Sequence, residues 1–132
     1  MIPLHLDTRS GVPPYLQIAH QVRHAILAGV LEPGDQLPTV KSVVASLAIN
    51  PNTVFKSYRE LEREGLVEGR PGAGTFVLRR PSGPRPGQHA ALARSLRLWV
   101  GKARASGLDD ASIESMLRAI LQERADDAAA TA

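Results

Sequence analysis

The sequence predicts an α+β fold, with a small mixed domain over residues 1–78 and a pair of helices after it. Three observations support this prediction. Apolar residues recur every three or four positions in five segments, which indicates amphipathic helices. Two short apolar runs flank a glycine-rich tip at residues 69–74, which indicates a β-hairpin. A stretch rich in proline and glycine at residues 79–88 predicts a linker between the two parts.

The composition limits the classes of protein to which the chain can belong. Its 132 residues carry a formal net charge of +3 with a pI near 9.8, which is compatible with nucleic-acid binding. The chain has no cysteine, which excludes disulfide scaffolds and thiolate zinc sites and fits a cytoplasmic location. It shows no secretory signal and no apolar run long enough to cross a bilayer, so no membrane partner is expected.

The first elements along the chain are a short strand and a helix. Residues 2–6 alternate apolar and other side chains before a turn at residues 7–11, which predicts an opening strand. Ile18, Val22 and Ile26 then share one stripe at 3.6 residues per turn. This stripe predicts an amphipathic first helix.

Two helices joined by a short turn follow. Thr39 is a favourable N-cap for an apolar helix that ends near position 47. The turn at residues 48–50 has the length found in helix-turn-helix motifs. Asn50 is a favoured N-cap and Pro51 suits the first helical position, because its fixed φ matches a helix start. The next helix is therefore predicted from Pro51 to about position 64.

A hairpin completes the N-terminal domain. Residues 66–68 and 75–78 are short apolar runs on either side of the sequence GRPGAG. The order of strand, three helices and hairpin is that of a winged helix-turn-helix. The full prediction is a winged helix-turn-helix domain over 1–78, a linker over 79–88, a helical dimerisation segment over 89–125 and a flexible tail over 126–132.

One face of the helix that begins at Pro51 is predicted to meet DNA. Asn52 can pair bidentately with adenine, and Lys56 can reach guanine or phosphate. Arg59 and Arg63 lie further along the same face, where phosphate is the expected partner. The alternative is that these cations pair with glutamates of the same helix and form a solvated face. The opposite, packing face consists of Val54, Ser57, Tyr58 and Leu61.

The helix starts and the hairpin tip add further candidate DNA contacts. Unpaired N–H groups at Thr39 and Asn50 suit phosphate oxygens. Arg70 precedes a Pro-Gly-Ala-Gly turn without bulky side chains, so it can enter the minor groove or meet a phosphate. The alternative for this turn is an ordinary glycine-rich hairpin.

No catalytic or cofactor site is predicted. The sequence lacks a Ser/His/Asp nucleophile setting and a phosphate-binding glycine loop followed by a helix. The chain is therefore expected not to be an enzyme and to need no cofactor. His20 and His24 lie four apart on the first helix, but no third metal ligand is evident nearby in sequence. A metal-responsive regulator that uses these two histidines stays open as an alternative.

Five ordered motifs lie between residues 12 and 78. They are PYLQI at 14–18, GVLEPGDQLP at 29–38, NTV at 52–54, LEREGLV at 61–67 and GAGTFV at 72–77. Together they resemble the DNA-binding domain of the GntR family of bacterial regulators. The sequence INPNTV at 49–54 and the short tail are similar to the YtrA-like subfamily. That resemblance implies a repressor of its own operon and of neighbouring transporter genes.

The resemblance also implies DNA contacts at matching positions. These are Lys41, Asn50, Asn52, Thr53 and Lys56 in the helix-turn-helix, and Arg70 and Gly72 in the wing. Position 41 is usually arginine in the family, and lysine cannot make the same planar bidentate contact. Base preference or affinity is therefore expected to differ. Ser42 stands where the family has an acidic capping residue, which is expected to weaken that helix start slightly.

The two helices after the linker are predicted to join two copies of the chain. Their apolar stripes consist of Leu92, Leu96, Trp99, Val100, Ile113, Leu117 and Ile120, with Asp109 as the N-cap of the second helix. Two such helices expose more apolar surface than they can cover against each other. This predicts a two-fold homodimer and a roughly palindromic operator. If a small-molecule effector exists, its site is expected between the two copies; control by protein level alone is the open alternative.

A module that binds protein rather than DNA is the main alternative from another class, since one fold can host several functions. Lys56, Arg59 and Arg70 argue against it, because a basic surface with a polar amide suits DNA. The expected partner is therefore double-stranded operator DNA.

Overall fold

The computed structural model describes residues 2–131, with side chains described as far as residue 124. The chain forms two compact units, Met1–His89 and Ala90–Ala132. Its elements are α1 (Pro14–Leu27), α2 (Val40–Leu47), α3 (Pro51–Arg63), β1 (Val67–Arg70), β2 (Gly74–Val77), α4 (Pro86–Ala105) and α5 (Asp110–Thr131). Helices combined with an antiparallel hairpin confirm the predicted α+β class.

Three helices surround the core of the first unit. α3 packs against both α1 and α2. Ile18, Val22 and Ile26 of α1 have no exposed surface, and neither do Val54 and Leu61 of α3. The apolar stripes predicted from the sequence are therefore the faces that the core buries, as amphipathic helices require.

The predicted strand at residues 2–6 is wrong, because this segment has no strand structure. Two glutamines of α1 hold it instead. Gln21 bonds both the N–H of His5 at 3.0 Å and its carbonyl at 2.7 Å, and Gln17 accepts from the N–H of Asp7 at 2.8 Å. Helix side chains thus satisfy backbone groups that a neighbouring strand would otherwise pair. The alternating residues still pack on the core: Ile2, Leu4 and Leu6.

The helix-turn-helix begins and turns where the sequence predicts. Thr39 Oγ1 accepts from the N–H of Ser42 at 3.1 Å and caps α2. Ala48 ends α2 with φ at +54°, the left-handed conformation that reverses the chain. Asn50 Oδ1 accepts from the N–H of Asn52 at 2.8 Å and caps α3. Both predicted caps are therefore confirmed.

The hairpin forms a wing with an additional edge. β1 and β2 are antiparallel, with Val67 opposite Val77 and Arg70 opposite Gly74. Residues 34–37 join the outer side of β2 through three backbone hydrogen bonds of 2.8 Å. The sequence carries no strand pattern at these residues. This edge ties the loop before α2 to the wing.

The second unit consists of most of α4, a short turn and α5, and few of its described side chains are buried. Gly107, with φ at +98°, ends α4, and Asp109 Oδ1 accepts from the N–H of Ser112 at 2.8 Å as the cap of α5. α4 begins at Pro86, inside the predicted linker, because proline suits the first helical turn. α5 runs to Thr131 through most of the predicted tail, since its end is rich in the strongest helix former, alanine.

The last residue of the predicted tail, at position 132, lies outside the described residues. Across the part of the chain that the structure describes, no helix is both long and apolar enough to cross a membrane.

Candidate nucleic-acid interface

α3 separates a buried face from an exposed polar face. Its packing residues Val54, Ser57, Tyr58 and Leu61 are all buried, as predicted. On the other side, Asn52, Lys56 and Arg59 are exposed. An amide and two cations therefore line one edge of the second helix of the helix-turn-helix, which is the helix that enters the major groove in this motif.

Two contacts fix α3 in place. The Tyr58 hydroxyl donates to the carbonyl of Pro38 at 2.6 Å, which links α3 to the segment before α2. Burial raises the pKa of Tyr58, so its hydroxyl stays protonated and keeps this hydrogen bond. At the C-terminal end of α3, one guanidinium nitrogen of Arg23 in α1, Nη2, donates to both oxygens of the Glu64 carboxylate at 2.7 and 2.9 Å. The middle and the C-terminal end of the candidate reading helix are thus anchored.

Lys56 is positioned by an aromatic ring. Its Nζ lies 4.1 Å from the centre of the Tyr15 ring, a cation–π distance. A ring accepts the positive charge without using up the lysine N–H donors, so Lys56 keeps the capacity to donate to DNA. Tyr15 belongs to α1, and sequence reasoning did not identify it as part of the site.

The cations of α3 differ in whether they are paired. Arg63 pairs with Glu60 on the same helix, and this hydrogen bond is the main cause that lowers the pKa of Glu60. Glu64 is already paired with Arg23 of α1. Lys56 and Arg59 form no salt bridge with any described residue. The alternative of a paired, solvated face therefore holds for Arg63 and not for the two cations nearer the start of α3.

Two side chains that are predicted to contact DNA also cap helices, Thr39 at the start of α2 and Asn50 at the start of α3. The side-chain oxygens of Thr39 and Asn50 accept backbone hydrogen bonds, and the donors that these two side chains still carry are the Thr39 hydroxyl O–H and the Asn50 amide N–H groups. Thr39, Lys41 and Asn50 are exposed, and Thr53 is half-buried. The structure thus brings the predicted helix-turn-helix residues to the start of α2, the turn and the first turns of α3.

The wing presents one arginine next to its tip. The Arg70 guanidinium lies 4.4 Å from the centre of the Phe76 ring, and its Nε is 3.3 Å from the Glu68 carboxylate. Both groups hold the side chain along the wing, yet Arg70 stays exposed. Gly72 lies at the tip with φ at +74°, a conformation that other residues rarely adopt. Because Gly72 has no side chain, the backbone at this position can approach a sugar-phosphate chain closely.

A groove of about 590 Å³ runs between the start of the helix-turn-helix and the wing. Thr39, Arg70 and Gly72, all predicted contacts, line it. Phe55 lines it too, and sequence reasoning did not select this residue. The signal in the sequence that could have identified Phe55 is an aromatic residue next to the predicted polar stripe.

The histidines do not assemble a metal site in the described residues. His24 lies against His89, with the ring centres 4.8 Å apart. Among the residues that the structure describes, no three His, Cys, Asp or Glu side chains come together in a way that can hold a metal ion. The metal-responsive alternative based on His20 and His24 therefore gains no support.

The fold and this polar face define the class as a winged helix-turn-helix DNA-binding protein. Residues 14–77 match the family described as "Bacterial regulatory proteins, gntR family". The chain is 40% identical to the HTH-type transcriptional regulator Rv1152 of Mycobacterium tuberculosis over 105 residues, which is 80% of this chain and 83% of that protein. The chain belongs to the GntR family.

Further relatives place it near the YtrA proteins. It is 45% identical over 74 residues to the transcriptional repressor YtrA of Bacillus subtilis, covering 56% of this chain and 57% of that protein. The structure of YtrA from Sulfolobus acidocaldarius is similar at TM-score 0.53 and 28% identity, over 91% of this chain and 97% of that one. The AraR DNA-binding domain, solved with an operator, gives TM-score 0.51 and 26% identity over 56% of this chain and 92% of that one. The YtrA-like resemblance is thus confirmed.

Proposed function

We propose that this GntR-family regulator is a sequence-specific repressor of its own operon and of neighbouring transporter genes. It acts in the cytoplasm and binds a palindromic operator as a homodimer. It is not an enzyme and needs no cofactor. A repressor among the relatives, the Bacillus YtrA, supports the direction of regulation. The AraR domain with its operator supports DNA as the partner of this fold.

The observation that carries the proposal is the state of the cations on α3. Lys56 and Arg59 are exposed and form no ion pair with described residues, and Asn52 precedes them on the same face. A surface of this kind supplies base-reading donors at its start and phosphate donors further along.

The remaining contacts are assigned by position. Lys41 and the amide of Asn50 lie beside the starts of α2 and α3, where helix N–H groups favour phosphate. Thr53 flanks the reading face, and Arg70 with Gly72 meets the minor groove or the adjacent phosphates. Phosphate contacts position the domain, whereas Asn52 and Lys56 read bases.

The homodimer is supported by the second unit. Its apolar groove of about 240 Å³ is lined by Leu96, Trp99, Val100, Ile113, Leu117 and Ile120. Leu92 and Ile120 keep 64% and 53% of their surface exposed, which is costly for two helices in water. A second copy would cover this surface, and two reading helices would then meet half-sites about one helical turn apart, roughly 34 Å.

The test compares two alanine variants on α3 that remove one positive charge each. Lys56→Ala removes a cation assigned to a base and is expected to weaken binding to the selected operator about tenfold. Arg63→Ala removes a cation that already pairs with Glu60, so its binding is expected to stay within about twofold. Fluorescence anisotropy with an operator selected from random DNA measures both, with scrambled DNA as reference.

Equal losses for the two variants would mean that α3 contributes only bulk charge. No loss for Lys56→Ala would overturn the assignment of the reading helix. Failure of the wild-type chain to select any common site would favour the protein-binding module instead.

A further inference from the structure

Phe55 has an exposure that the core does not explain. Within α3, all of whose residues are described, it is the one large apolar side chain left about half exposed, at 48%. Val54 beside it and Leu61 two turns later are both at 0%. Exposing an aromatic ring in water costs free energy that burial would recover. A partner that covers the ring would recover it.

The ring lies where DNA is proposed to bind. Phe55 is in the first half of α3 and lines the groove that Thr39 and Arg70 also line. At 100° per residue, Phe55 and Lys56 flank the Asn52 edge on opposite sides. Lys56 lies over Tyr15 of α1, so Phe55 occupies the flank towards the wing. A base pair that Asn52 reads would therefore have Phe55 beside it.

The chemistry of the ring restricts what it can recognise. A phenyl group neither donates nor accepts conventional hydrogen bonds, so it cannot read the polar edges of guanine, cytosine or adenine. In the major groove, thymine alone among the four standard bases presents an apolar group, its C5 methyl. Apolar contact with that methyl buries surface on both partners.

We propose that Phe55 is a specificity-determining residue that selects thymine by contact with its C5 methyl group. This inference rests on the proposed function, because it assigns a base to the same DNA-binding face. The expected operator has at least one thymine per half-site whose methyl group contributes to affinity.

The experiment removes single methyl groups from the DNA. The operator is selected from random DNA with the full chain, and each thymine is then replaced in turn by deoxyuridine, which lacks only the methyl. For the wild-type chain, replacing either thymine of one symmetric pair is expected to lower the affinity about fourfold. This is the loss expected from one methyl group that is no longer buried. Phe55→Ala is expected to bind the thymine and deoxyuridine versions of that position equally.

Controls separate recognition from folding. Phe55→Leu keeps an apolar side chain and is expected to retain the preference for thymine over deoxyuridine. Phe55→Gln is a second loss variant that suits a helix, and thermal unfolding of each variant reports its fold. If Phe55→Ala does not fold, the Gln variant decides the outcome by the same comparison.

Three outcomes count against the proposal in different ways. A wild-type chain that selects an operator yet ignores every methyl deletion overturns the role of Phe55 alone. Loss variants that still discriminate at the same thymine also overturn that role and leave the proposed function intact. A chain that selects no operator overturns the proposed function, and the assignment of thymine with it.

Discussion

The two compact units differ in how they cover their apolar side chains. The first unit buries Ile18, Val22, Ile26, Val54 and Leu61 completely among three helices and a hairpin. In the second unit, only Ala103 and Ile113 are buried among the described side chains. Elements that surround a space can close a core, whereas two helices leave their outer stripes in water. The first unit therefore closes its core within one chain, whereas the second leaves apolar side chains that the proposed dimer would cover.

The largest expected effect tests the closed core. Ile26→Ala removes a side chain with no exposed surface and is expected to lower the free energy of unfolding by about 2–5 kcal/mol. Val30→Ala, at a position 63% exposed, is the control and is expected to change it by less than about 0.5 kcal/mol. Urea unfolding followed by circular dichroism at one fixed concentration measures both. Similar values for the two would mean that the core is not closed.

The next effect tests whether the second unit needs a partner. Leu96 and Leu98 are both exposed on α4, but only Leu96 lines the apolar groove. Leu96→Lys is expected to raise the dissociation constant of the dimer about 100-fold, because an unpaired charge would be buried between the copies. Leu98→Lys should leave it within about threefold. Analytical ultracentrifugation of the full chain gives both values, and a wild-type monomer at all concentrations would refute the dimer.

The smallest expected effect compares one helix N-cap from each of the two units. Thr39→Ala removes the uncharged cap of α2 and is expected to cost about 1 kcal/mol at every pH. Asp109 caps α5 with a carboxylate, and its hydrogen bonds with Ser112 lower its pKa. A lowered pKa in the folded state adds stability at neutral pH that is lost as the pH falls through that pKa.

The destabilisation by Asp109→Ala should therefore shrink on acidification, while that of Thr39→Ala stays constant. Unfolding at pH 7 and at about pH 3 measures the difference. An Asp109→Ala effect that does not change with pH would mean that the charge of the cap contributes nothing.

Local sequence patterns predicted which face of α3 is buried and which polar face is exposed. Asn50 and Pro51 set the start of α3, and the spacing of Val54 and Leu61 set which face is buried. Because these are properties of one helix, they follow from neighbouring residues alone. The face that carries Asn52 is then the exposed one, to which the proposal assigns DNA.

Contacts between residues that are far apart in the sequence could not be predicted from these local patterns. Spacing along α3 placed Lys56, Arg59 and Arg63 on one face and left open whether they pair with glutamates. In the structure Tyr15 lies under Lys56, and Glu60 pairs with Arg63. The contact of Lys56 with Tyr15 depends on how α1 packs against α3, and one sequence does not state that angle, whereas Arg63 and Glu60 pair within one helix. The unpaired cations were therefore visible only in three dimensions.

The opening segment and the wing show the same difference between what local patterns predict and what contacts between distant residues decide. Alternation at residues 2–6 correctly indicated that every second side chain packs inward, but the backbone is satisfied by Gln17 and Gln21 rather than by a strand. Residues 34–37 carry no strand pattern and still pair with β2. Pairing of backbone groups depends on what lies beside them.

The sequence by itself determined the helices, their caps, the hairpin and the family, because each follows from short-range spacing and residue type. The tertiary structure alone decided which cations stay unpaired and that Phe55 lies exposed beside the wing. The physical reason is that exposure and pairing are relations between elements, which form only when the chain folds.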